Sequence, residues 1–333
     1  MAKVHKMLFF LIVISSTLIT ISSYSWLGLW VGLEINLLSL IPLMLSPSNS
    51  LSTESTIKYF ITQAMASMIL FIAILVTMSQ GWTILEKFPH ILVLTALLTK
   101  MGAAPFHFWF PDVMVGVEWI PASFILTWQK IAPMTLISYF EISSLIMGLV
   151  ILSCMVISGV FLINQTSMKK ILTFSSINNI GWMLMSIQIQ EKVWILYLTV
   201  YIISTLVIIL FLASNKIEHM AQMMNKPLGP TLNKFTFSLN FFNLASIPPF
   251  IMFLPKWLIV EEMMISQDYF MPTSMILLTL ISTYMYLQIL SGLLLSSTTS
   301  KSSKKENSNL IFKVINFMAL ISLAPTTFLF NKF

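Results

Sequence analysis

Apolar runs of about twenty residues recur along almost the whole chain, joined by short polar connections. A run of that length crosses the hydrocarbon core of a bilayer, roughly 30 Å thick, as a helix. Inside a bilayer the backbone must satisfy its own hydrogen bonds, so a helix is the only structure such runs can adopt singly. The chain therefore reads as all-α, a polytopic membrane protein of about eleven transmembrane helices. The spans fall near 7–23, 26–45, 57–79, 88–110, 120–140, 142–163, 169–188, 193–214, 236–265, 272–296 and 310–330. Met7 to Ile21 has no small-residue cleavage site after it and counts as the first span. Of 333 residues 57% are hydrophobic and 9% charged, with a mean hydropathy of +0.89, which leaves no stretch polar enough for a separate soluble domain.

All 18 basic residues are lysine. Sorted by the spans, twelve fall on the side of the N-terminus and three (Lys87, Lys192, Lys332) on the other. A positive-inside bias then puts the N-terminus in the matrix or cytoplasm and the C-terminus across the membrane. Lys100, Lys130 and Lys256 remain, and all three lie within spans. The lysine-only, methionine-rich composition fits codon bias in an AT-rich organelle genome.

Each membrane lysine stands beside a helix breaker. Lys100 precedes Gly102 and Pro105, Lys130 precedes Pro133, and Lys256 follows Pro248, Pro249 and Pro255. Proline removes an N–H, so the carbonyl four residues earlier loses its helical partner. At membrane depth a broken helix is tolerated only against protein or water. An ammonium there costs from about 3 to more than 10 kcal/mol, and marks an ion or proton pathway. Spans four and nine hold the two similar breaks, Ala104-Pro105-Phe106 with Phe108 and Pro248-Pro249-Phe250 with Phe253. Five spans apart, they run in opposite directions, which points to inverted repeats. The expected organisation is a first repeat over 1–140, a second over 141–297, and a polar connection with a last helix over 298–333. The match is uneven: span ten has nothing corresponding to Lys130, and span seven carries Asn178 and Asn179.

Glu34 is the clearly mid-span acid, and its natural partner is Lys100 or Lys130. A carboxylate near a lysine holds the proton on it, so Glu34 and Lys100 form a candidate switch. The alternatives are a static neutralised pair and, for Lys256, an ammonium snorkelling to the surface. His107, two residues past the first break, is either a relay or an interfacial histidine. His5, His90 and His219 lie near ends or loops, and Glu261 and Glu262 mark the end of the ninth span. Trp26, Trp30, Trp82, Trp109, Trp119 and Trp257 read as interface anchors or packing. A single cysteine, Cys154, excludes a disulfide framework and a cluster held by this chain alone. There is no histidine pair at metal or haem spacing, no phosphate-cradling loop and no nucleotide-binding strand pattern. Redox chemistry, if any, belongs to other chains.

Five stretches carry a resemblance. Trp30-Val31-Gly32-Leu33-Glu34-Ile35-Asn36, Lys58-Tyr59-Phe60-Ile61-Thr62-Gln63-Ala64, Lys100 to Trp109, Thr127-Trp128-Gln129-Lys130-Ile131-Ala132-Pro133 and Phe253-Leu254-Pro255-Lys256-Trp257 follow in order. Together they resemble the antiporter-like membrane-arm subunits of mitochondrial respiratory complex I (NADH–ubiquinone oxidoreductase), in an animal version, with insects among the candidates. The resemblance implies a core of two inverted five-helix repeats and a proton-pumping role, with a polar axis formed here by Glu34, Lys100, Lys130 and Lys256. It implies no cofactor on this chain, with NADH, FMN, iron–sulfur clusters and ubiquinone handled elsewhere in the complex. It implies the mitochondrial inner membrane, other membrane-arm subunits as partners on both sides, and no nucleic acid. The usual bundle of that family has fourteen helices. This chain starts as though the first three were missing, leaving a flank for lipid, cardiolipin among the candidates, or a neighbouring subunit. Two other readings stand beside this one: a structural subunit with frozen charges, and a subunit of a sodium/proton antiporter.

Overall fold

The computed structural model describes residues 2–46, 49–78, 87–140, 143–225, 231–248 and 250–297. The eleventh expected span, the polar connection before it and the end of the chain lie outside them, as do Trp82 and Pro249. Among the described residues the structure is helical, with one isolated bridge between Ser167 and His219 in place of any strand.

The chain divides into two compact units, Met1–Val150 and a second from Ile151 onward. The first holds α1 (Ala2–Ser22), α2 (Trp26–Met44), α3 (Ser50–Met78), α4 (Lys87–Met101), α5 (Trp109–Gly116), α6 (Trp119–Leu126) and α7 (Ile131–Ser138). Helix α8 (Ser144–Leu162) carries the chain into the second unit. There follow α9 (Met168–Ile189), α10 (Glu191–Asn215), α11 (Met220–Asn225), α12 (Thr231–Leu244), α13 (Phe253–Ile265) and α14 (Phe270–Ser297). Six helices among the described residues are long and apolar enough to cross a membrane: those at Val4–Ser22, Trp26–Met44, Ser50–Met78, Ser144–Leu162, Glu191–Asn215 and Phe270–Gly292.

The pattern on α3 shows which way these helices face. Its outer surface exposes Ile57, Ile61, Met65, Met68, Ile72 and Leu75, while Ser52, Ser55, Thr56, Gln63 and Ser67 are buried. Large apolar residues dominate the outer face, and the inner face mixes small and polar residues with Tyr59, Leu70 and Ile74, as suits a helix with lipid for solvent. Small residues also set the closest approaches. A Cβ on Gly116 would meet the backbone oxygen of Leu51 at 2.3 Å, so the absence of a side chain there lets α5 seat against α3. Helix α9 is the counter-case. It is buried from Ile171 to Ser186, polar residues included, and packs against α10 and α13. Surrounded by protein, it can carry a polarity that a lipid-facing span could not.

Three expected spans are interrupted. Span four stops at Met101 and resumes at Trp109, with Gly102 at φ 70°. Span nine stops at Leu244 and resumes at Phe253, with Ser246 at φ 50°. Span five is a difference from the two-break reading: α6 ends at Leu126, a 3-10 turn covers Trp128–Lys130, and α7 follows. Pro133 has no N–H for the carbonyl of Gln129, so the chain tightens into i to i+3 bonds, Lys130 N–H to Thr127 O at 3.3 Å among them. Span three also starts earlier than expected, at Ser50, so Glu54 joins the helix and pairs with Lys58 at 2.7 Å.

Candidate functional site

Lys100 lies in the last turn of α4, where the helix's free carbonyls favour a positive charge. The break beyond it is closed by side chains from elsewhere. Gln63 on α3 donates to the carbonyl of Lys100 at 3.2 Å, and the indole of Trp109 donates to that of Thr99 at 3.0 Å. Trp109 packs edge-on against Tyr59 with ring centroids 5.8 Å apart. Lys100 is 7% exposed and lines a cavity of about 10 Å³ with Asn36, Tyr59, Gln63, Gln129 and Pro133. That is room for about one water molecule. Asn36 and Gln129 close one wall by a reciprocal amide pair, each donating to the other at 2.9 Å.

Glu34, half-buried on α2 two residues before Asn36, does not line this cavity. Among the described residues it forms no ion pair with Lys100 within 4 Å. The close Glu34–Lys100 pair that a static charge lock would need is therefore not formed. The reason is helical register: α2 turns Asn36 and Leu33 to the cavity, which leaves Glu34 beside it. Lys130, in the 3-10 turn, is 2% exposed and is flanked by Gln129 and by Trp128, whose indole donates to Thr17 Oγ1 at 3.2 Å. His107 is 3% exposed inside the first break, with Nδ1 3.3 Å from the carbonyl of Pro105 and its ring 4.4 Å from that of Phe108.

In the second unit Lys256 occupies the first turn of α13. It does not snorkel outward. Its Nζ donates to Ser246 Oγ at 2.7 Å, back into the break, and stands 5.3 Å from the ring of Trp182. The amide N–H of Met252 bonds Asn243 Oδ1 at 3.1 Å and ties the two half-helices together. Behind this lies a polar face of α9. Tyr197 donates to Asn179 Oδ1 at 2.9 Å, Asn178 Nδ2 donates to Ser282 Oγ at 2.8 Å, and Tyr201 and Tyr286 are buried in the same unit. At one end of this unit Lys169 reaches Glu218 at 3.7 Å. At the other end of α9, Gln190 reaches Glu262 at 3.3 Å.

A family profile described as "NADH:quinone oxidoreductase/Mrp antiporter, TM" matches residues 23–282. The chain is 40% identical over 336 residues to NADH-ubiquinone oxidoreductase chain 2 of Anopheles gambiae, covering 97% of this chain and 98% of that one. It is 42% identical over 339 residues to the same protein of Aedes aegypti, covering 99% of each. The chain belongs to the NADH-ubiquinone oxidoreductase chain 2 family. Its fold is the antiporter-like one. A chain of respiratory complex I from Thermus thermophilus, solved with bound aureothin, superposes with a TM-score of 0.83 at 22% identity, over 97% of this chain and 78% of that one.

The structure gathers Lys100 with the polar residues of the family-like stretches, and Lys256 with Ser246 and Trp182. In the sequence Asn36, Gln63 and Gln129 stand in the family-like stretches and Ser246 in the ninth-span break, none with a partner marked, and nothing there singles out Trp182, Tyr197, Tyr201 or Tyr286. Asn178 and Asn179, with Ser175 and Ser176 beside them, were the available signal: a span that keeps polar residues must bury them against protein.

Proposed function

We propose that the chain is a proton-translocating membrane-arm subunit of respiratory complex I in the mitochondrial inner membrane. NADH oxidation and ubiquinone reduction take place in other subunits, where FMN and the iron–sulfur clusters reside. The observation that carries this reading is the Lys100 ammonium, which stands at a helix break on a polar cavity with no ion pair among the described residues. A charge that only held helices together would be paired, because an uncompensated buried charge is costly. Gln63 and Trp109 tie off the carbonyls freed at the break, the Asn36–Gln129 pair walls the cavity beside it, and Glu34 stands nearby on α2 as the modulating carboxylate. Lys256, bonded to a hydroxyl rather than to a carboxylate, is the corresponding carrier of the second unit. Lys130, buried in the interruption of span five, and His107 complete the set of candidate relay groups.

The division into two compact units and a break in each support two inverted five-helix repeats, over 1–140 and 141–297, within a bundle of about eleven spans. The excess of lysine on one side supports an N-terminus in the matrix and a C-terminus in the intermembrane space. The neighbours are other membrane-arm subunits on both sides.

The test is proton translocation per NADH oxidised, in sealed vesicles, for Lys100→Met in an otherwise intact complex. A large loss of pumping with assembly preserved is expected. Unchanged pumping and assembly would reduce Lys100 to a structural charge and overturn the reading.

A further inference from the structure

The 3-10 turn at Trp128–Lys130 carries a buried lysine on a weak piece of backbone. Pro133 removes a helical bond there, and 3-10 geometry makes poorer hydrogen bonds than an α-helix. Lys130 N–H donates to Thr127 O at 3.3 Å, and Thr127 bonds Ser123 O through its N–H at 3.1 Å and its hydroxyl at 2.6 Å. These bonds run along the span. They do not fix the turn sideways against the other helices.

Two consecutive residues of the turn reach across to distant parts of the chain. Trp128 Nε1 donates to Thr17 Oγ1 on α1 at 3.2 Å, and Thr17 donates onward to the carbonyl of Ile14 at 2.8 Å. Gln129 and Asn36 on α2 exchange two amide bonds of 2.9 Å, across 93 residues of chain. Thr17 and Asn36 are both buried. A pair of reciprocal bonds fixes orientation as well as distance, which a single bond leaves free. The pair also joins the helix of Glu34, two residues before Asn36, to the residue before Lys130.

The chemistry of the pair suits a place between titrating groups. Each amide offers a donor and an acceptor, and neither gains nor loses a proton at physiological pH. Lys100 lines the same cavity as Asn36 and Gln129. An amide pair keeps its bonds whether that lysine or Lys130 is protonated. A carboxylate or an imidazole in either place would change its charge in response to its neighbours.

We propose that Asn36 and Gln129 are positioning residues for Lys130, a non-titrating clamp that holds the turn where Lys130 exchanges protons. The proposal rests on the relay role given to Lys130 above. Proton transfer needs its partners within hydrogen-bond reach or one water apart, and a displacement of about 1 Å can cost about a hundredfold in rate.

The test measures assembly and protons moved per NADH oxidised, in sealed vesicles of the intact complex. Asn36→Leu with Gln129→Met removes both amides at similar shape and strands no buried partner. The expected result is an assembled complex whose ratio falls to that of Lys130→Met. Adding the apolar pair to Lys130→Met should cause no further loss, because the clamp acts through that lysine. Gln129→Asn, which shortens the reach by one methylene, should lower the ratio, and adding Asn36→Gln to it should restore the ratio. An apolar pair that pumps like the unaltered chain, while Lys130→Met does not, overturns the proposal and leaves the amides a structural contact. A further loss on top of Lys130→Met also overturns it, since the pair then acts elsewhere. Where the apolar pair does not assemble, Gln129→Asn decides: an unchanged ratio, or a lowered one that Asn36→Gln fails to restore, overturns the clamp. Unchanged pumping in Lys130→Met itself overturns the relay role of that lysine, and is read separately from the amides.

Discussion

Lys100 and Lys256 are stabilised by different means, and the difference yields predictions at the residue scale. Lys100 uses the carbonyl end of α4 and a polar cavity; Lys256 uses one hydroxyl and one aromatic face, at the opposite kind of helix end. Glu34 touches neither within ion-pair distance, so Glu34→Gln removes a charge without breaking a contact. The expected outcome is a fully assembled complex with unchanged thermal stability and a lower ratio of protons pumped to NADH oxidised. Breaking a buried pair would instead cost about 3–5 kcal/mol and reduce assembly. Gln63→Leu acts in the other direction. It strands the carbonyl of Lys100, at a cost of about 1–3 kcal/mol, and a lower melting temperature of the complex checks it. The sequence marked Glu34 and the lysines by their rarity in apolar spans. It did not show the partners, because Gln63 and Lys100 meet across 37 residues of chain.

At the scale of elements, the breaks matter more than the helices. Gly102 sits at φ 70° with Phe110 closely packed over it, and a Cβ there would come within 2.9 Å of the ring. Gly102→Ala should cost about 1–3 kcal/mol through backbone strain alone and shift Lys100 from its cavity. Reduced yield of assembled complex on a native gel, with the remainder pumping poorly, is the expected result. Gly116→Val should lift α5 from α3, since its Cβ has no room beside Leu51, and should abolish assembly. Gly159→Ala, where the nearest atom of Ile281 is 3.5 Å away, makes only an ordinary contact and should assemble and pump normally. The prolines announced the breaks in spans four and nine. The interruption of span five was only half visible, since Pro133 marks the lost hydrogen bond but not the 3-10 turn that replaces it.

At the scale of the whole molecule, the lysine asymmetry becomes a statement about two ends. The start of α9 and the end of α10 are joined by the Ser167–His219 bridge and the Lys169–Glu218 pair, while Gln190 and Glu262 share the other end of that unit. Lys216 and Lys192, both exposed, stand at opposite ends of α10, a helix of 25 residues. At about 1.5 Å per residue it is long enough to span the bilayer. In sealed vesicles of the assembled complex, a membrane-impermeant thiol reagent should label Lys216→Cys from the matrix side and Lys192→Cys from the intermembrane-space side. Cys154 is buried and should add little background from this chain. Labelling of both from one side would overturn the orientation.

What the sequence by itself determined is local. Hydropathy marked the all-α membrane character and the six long apolar helices among the described residues, because lipid admits only backbones that satisfy themselves. Proline and glycine set the breaks in spans four and nine, because a missing N–H and a left-handed φ are properties of single residues. The charges at risk were legible for the same reason, a membrane lysine being costly wherever the chain puts it. Only the tertiary structure decided which groups meet: that Glu34 stands apart from Lys100, that Gln63 seals its carbonyl, that Trp182 lies under Lys256, and that α9 can be polar because protein surrounds it. Those outcomes depend on register and packing between helices distant in the chain, which no window of the sequence contains.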